Sequence, residues 1–92
     1  MDPGNAFARY GLAMEHIAQG NPEAALVEFD SLIVHSPDYV PAYQMSAQTL
    51  VTLGRIDAAL ERLDEGIAAA QRTGNQHALA EMSAMRDEAS IR

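Results

Sequence analysis

The chain has 92 residues, 48% of them hydrophobic and 21% charged, with a formal net charge of −7 and no cysteine. That length suits one small domain rather than two, which buries about 60 to 65% of the surface its unfolded form exposes. The missing cysteine excludes disulfides, thiolate catalysis and cysteine-ligated zinc, and six basic residues against thirteen acidic ones leave no footprint for a phosphate backbone, so nucleic acid is not an expected partner.

Glycines and prolines punctuate the chain at Gly20-Asn21-Pro22, Ser36-Pro37-Asp38, Gly54-Arg55 and Thr73-Gly74-Asn75. Between them lie five stretches that read as helix, at about 6–19, 22–35, 39–53, 56–72 and 75–90. The second stretch has Asn21 as a candidate cap, Pro22 at the first helical position and Glu23 beside the positive end of the dipole. Its residues Ala25, Leu26, Phe29, Leu32 and Ile33 recur at the spacing that sets them on one face. Asp38 is the corresponding cap expected for the third stretch, with Pro41 in the first turn, the part of a helix that tolerates proline. No stretch sustains the alternation of a strand, so the expected fold class is all-α.

An offset of 34 residues relates the second and fourth stretches: Gly20 matches Gly54, Ala24-Ala25-Leu26 matches Ala58-Ala59-Leu60, Phe29 matches Leu63 and Ile33 matches Ile67. A turn and the packing stripe behind it are thus repeated together, which is the signature of stacked helical hairpins. Within each hairpin, small residues let the helices approach while large ones fill the groove. Ala13 and Leu12 are expected to face Ala25 and Phe29, and Ala47 and Leu50 to face Ala59 and Leu63. In the last stretch Leu79, Met82 and Met85 would cover the fourth helix, leaving Arg72, Glu81, Arg86, Asp87 and Glu88 in solvent.

These residues resemble the tetratricopeptide repeat family. Its pattern of small and large positions is met by Leu12, Ala13, Gly20, Ala25, Phe29 and Pro37 in the first repeat and by Tyr43, Ala47, Gly54, Ala59 and Leu63 in the second. The sequence departs from it at Arg9, where a large apolar residue is usual, at His16, where a tyrosine is usual, and at Gln71, where a proline is expected. The resemblance implies one domain over 1–92: repeat one at about 5–38, repeat two at about 39–72 and a closing helix at about 75–90.

It also implies a concave surface, formed by the first helix of each pair, that receives a peptide or partner protein. On this chain the lining would be Phe7, Tyr10, Met14, Ile17, Gln44, Gln48 and Val51, with Met82 and Arg86 from the closing helix. Phe7, Tyr10, Met14 and Ile17 also form an apolar stripe by their own spacing, open to three uses: a partner, a second copy in a homodimer, or packing against the third helix. Members of the family that hold a terminal carboxylate do so with basic side chains, and the expected lining holds one arginine and no lysine.

Catalysis is not expected, nor is a bound cofactor or metal. His16, His35 and His77 fall on three different helices, and His77 with Glu81 makes a pair of ligands without a third. Asp57, Glu61, Asp64 and Glu65 read as a solvated helix face, and neither a phosphate loop nor a nucleophile with its base is evident. No stretch reaches the length of a membrane span, and residues 1–20 lack the pattern of a secretory signal, so the expected location is cytoplasmic. The expected function is a non-enzymatic protein-binding adaptor.

Overall fold

A computed structural model describes residues 3–91, with side chains from residue 5 onward. Five helices follow in order: α1 (Pro3–Ala18), α2 (Pro22–His35), α3 (Val40–Thr52), α4 (Ile56–Thr73) and α5 (Gln76–Ser90). Among the described residues there is no strand. α1 pairs with α2 and α3 with α4; α2 joins the two hairpins by packing on α3, and α5 lies against α4 and reaches α3.

The repeat is reproduced in backbone geometry. Gly20 and Gly54 both adopt φ of +76°, the left-handed conformation that costs glycine little. After each, the following N–H reaches back five residues, from Asn21 to the His16 carbonyl at 2.8 Å and from Arg55 to the Leu50 carbonyl at 2.9 Å. Gly74 closes α4 in the same way, with Asn75 donating to the Ala70 carbonyl at 2.8 Å.

The turn between hairpins is built differently. The Ser36 N–H donates to Leu32 and that of Tyr39 to Ser36, and longer-range side chains hold the rest. The Tyr43 hydroxyl donates to the Pro37 carbonyl at 2.6 Å, and Arg72 donates to the same carbonyl at 3.0 Å and to Asp38 at 2.8 Å.

Two expected caps are therefore not made. Asn21 precedes α2 but its side chain makes no capping bond; its backbone N–H closes the glycine turn on the His16 carbonyl. Asp38 stands one residue too early, because Tyr39 is the residue before α3, and its carboxylate is engaged by Arg72 instead. α5 has the side-chain cap that Gly74-Asn75 supplies: Asn75 accepts from the Ala78 N–H at 3.0 Å.

The core lies along the hairpin seams. Ala13, Ala25 and Phe29 are fully buried in one cluster with Ala6, Leu32 and Ala42. Ala47 and Leu63 share a second with Val40, Tyr43, Ala69, Ala70, Ala78 and Met82, and Leu50 meets Ala59 in a third with Leu26. Leu12 departs from expectation. It is 45% exposed, because Ala13 occupies the α2-facing position and its neighbour is turned away from the seam.

Candidate functional site

Tyr10 of α1 joins α3 and α5 around one hollow of the surface, and α3 and α5 alone border another. The larger hollow, about 300 Å³, is lined by Tyr10 from α1, by Val40, Pro41, Gln44 and Met45 from α3, and by Asn75, His77, Ala78 and Glu81 around the start of α5. A smaller one, about 100 Å³, lies further along between Gln48 and Val51 of α3 and Met85, Glu88 and Ala89 of α5. Regular turns place these side chains. Positions 44, 48 and 51 recur once per helical turn, so Gln44, Gln48 and Val51 share one face of α3.

Of the expected lining, Tyr10, Gln44, Gln48 and Val51 border the hollows. Tyr10 is half-buried: its ring lies 6.1 Å from that of Phe29 and 5.6 Å from that of Tyr39, both tilted, an arrangement that suits aromatic quadrupoles. Burial and the neighbouring Tyr39 raise the Tyr10 pKa above its usual value. Phe7, one turn earlier, is 71% exposed. Met14 and Ile17 pack partly buried against the first hairpin's core, whose cluster includes Ala42 of α3.

Met82 does not belong to this surface. It is fully buried, with its sulfur over Gly66, where an added Cβ would lie 2.6 Å from the sulfur and 2.7 Å from the Tyr43 Cβ. The bare Gly66 lets α5 sink onto α4 far enough to enclose the methionine. Arg86 is tied down by Asp64 of α4, which it contacts at 2.5 Å. That contact lowers the Asp64 pKa and raises that of Arg86.

Sequence reasoning missed Pro41, Met45, Asn75 and Met85 as lining residues, and it paired His77 with Glu81 without bringing them to Gln44. Glu81 accepts from Gln44 at 3.3 Å and lies 3.2 Å from His77. Four residues separate His77 from Glu81, a signal that is visible in the chain, but the Gln44 contact spans 37 residues and becomes visible only when α5 is docked. Among the described residues no group of three or more His, Asp or Glu side chains is placed to hold a metal ion. No described helix is long and apolar enough to cross a membrane.

Comparison with known proteins agrees with this architecture. A family model described as tetratricopeptide repeat matches residues 16–82. The solution structure of a tetratricopeptide repeat domain protein from Salinibacter ruber superposes with a TM-score of 0.89 at 35% identity, covering 97% of this chain and 90% of that one. A crystal structure of a tetratricopeptide repeat domain protein from the same organism gives 0.87 at 34% identity, covering 92% and 96%. No functionally curated protein matches the chain. Hairpin seams, recurring glycine turns and these similarities together place the chain in the tetratricopeptide repeat family.

Proposed function

We propose that the chain is a non-enzymatic interaction module that receives a peptide or protein segment on the face shared by α1, α3 and α5. The observation that carries this reading is the pair of hollows along α3 and α5, which combine aromatic, apolar and amide side chains: Tyr10, Met45, Gln44, Gln48 and Val51. Apolar walls with a few placed polar groups suit an extended or helical segment. The fold is one generally used for protein interaction.

A cationic ligand-clamp role has little support. Arg55, Arg62, Arg72 and Arg86 each pair with an acid, and Arg9 donates to Ser31 at 2.9 Å. That distribution also argues against a phosphate-binding surface. Homodimerisation through this same face is the weaker alternative, because Met82 is enclosed and Met14 and Ile17 pack on the core, leaving mainly Phe7 and Tyr10 to meet a copy.

The test is a peptide selected from a displayed random library and mapped by amide chemical shifts on the labelled chain. Perturbations should cluster at Tyr10, Gln44, Gln48 and Val51, and Tyr10→Glu should weaken binding by about tenfold or more. Shifts confined to the α2 and α4 surface would refute the assignment of this face.

A further inference from the structure

The two hollows along α3 and α5 have the same electrostatic character. Among the described residues, Glu81 is the only carboxylate bordering the larger one, Glu88 the only one bordering the smaller, and no arginine borders either. The chain's six basic residues are all arginine. Arg55, Arg62, Arg72 and Arg86 are paired with acids and Arg9 is held at Ser31, so the described cations are engaged away from the hollows.

The contacts of Glu81 leave part of its carboxylate open. Its side chain is 48% exposed, and both of its partners meet the same oxygen: Gln44 Nε2 donates to Oε1 at 3.3 Å, and His77 Nε2 lies 3.2 Å from that atom. Oε2 accepts from no described residue. The walls beside it are Tyr10, Val40, Pro41 and Met45, which offer a guest apolar contact but no charge. A neutral guest covering those walls would strip Oε2 of water and return no hydrogen bond, and an acidic guest would set like charges together. A lysine or arginine side chain meets both demands. Its aliphatic stem lies along the apolar wall while its charged head donates to Oε2.

Resting on the reading of this face as a peptide site, we infer that the segment it receives is basic and sets a lysine or arginine side chain in the larger hollow against Glu81. Glu88 follows Glu81 on α5 by seven residues, which is two helical turns or about 10 Å. Three residues of an extended segment span about the same distance, so basic residues three apart can address both hollows. At longer range the net charge of −7 draws in a basic segment and repels an acidic one.

The probe is a blocked hexapeptide of leucine and glycine carrying two lysines three residues apart, titrated into the labelled full chain. Its counterparts carry norleucine or glutamate in place of both lysines. The lysine peptide should shift the amides of Gln44, His77 and Glu81 and bind about tenfold more tightly than the norleucine peptide, while the glutamate peptide should not bind. Any acidic chain attracts a basic peptide, so two variants that remove the same charge locate the contact. Glu81→Gln should weaken the lysine peptide by about fivefold, whereas Glu61→Gln on α4 should change it by less than about twofold. Both side chains are exposed, and helical circular dichroism should be unchanged in each variant. The inference is overturned by equal losses in the two variants, by norleucine or glutamate peptides that bind as tightly as the lysine one, by shifts confined to α2 and α4, or by no binding of the lysine peptide at millimolar concentration. It is also overturned if library-selected peptides map to Gln44, Gln48 and Val51 without basic residues; the face would then remain a peptide site, and only the charge preference would fall.

Discussion

Tyr43 stands where the second hairpin, the connecting turn and the closing helix meet. Its ring is in the core with Leu63 and Met82, while its hydroxyl donates to the Pro37 carbonyl. Desolvation raises its pKa above the usual tyrosine value, against a smaller opposing influence of Arg72, and Tyr10 is raised for the same leading reason. A raised folded-state pKa means that the folded chain holds the proton more tightly than the unfolded one. This stabilising contribution is complete below the unfolded value of about 10 and is lost as pH climbs through the folded values. Urea melts between neutral and strongly alkaline pH should therefore show stability falling above about pH 10, with a shallower fall in Tyr43→Phe. An unchanged slope would show that the Tyr43 proton is not linked to folding. At this scale the sequence was an uneven guide. Phe29 and Leu63 were legible because each repeats at a fixed offset with small residues before it; Met82 was legible as cover for α4 but not as a residue too deep to line a groove, and the exposure of Leu12 was not legible, since both depend on what docks against them.

Helices were the most legible level. Every expected stretch is a helix with ends displaced by a few residues at most, because three of the four breaks are glycine turns whose left-handed conformation is written in the residue itself. How closely helices approach one another was not legible. Gly66 shows why: it has no special backbone conformation and no place in the repeat pattern, yet it is the point where α4 accepts both Tyr43 and Met82. Alanine there gains helix propensity of about 1 kcal/mol but must push aside the Met82 sulfur, which can move, and the Tyr43 Cβ, which is fixed to the backbone of α3. The steric cost should prevail, so Gly66→Ala is expected to lose about 1 kcal/mol or more in chemical denaturation. A variant as stable as the parent would mean that α3 and α4 separate freely.

For the whole molecule, the docking of α5 on the second hairpin decides behaviour. α5 brings Ala78 and Met82 onto Tyr43, Leu63, Ala69 and Ala70, so ending the chain at Thr73 should uncover that cluster and produce aggregation visible by light scattering. A soluble, fully helical monomer of residues 1–73 would remove α5 from its closing role. The hollows were only half legible for a related reason: Gln44, Gln48 and Val51 were implied by the family resemblance, while Asn75, His77 and Glu81 join them through the docking of α5.

The turn between the hairpins carries a mechanical consequence. Each hairpin is closed by a glycine turn made of neighbouring residues, so it is a stiff unit whose contacts form over short loops and are restored quickly when broken. The joint at Pro37 and Asp38 leans instead on Tyr43 and on Arg72, a residue 34 positions further on. Under load, or in the rare opening events sensed by hydrogen exchange, the molecule should behave as two rigid levers on one compliant hinge, yielding at that joint while the hairpins remain closed.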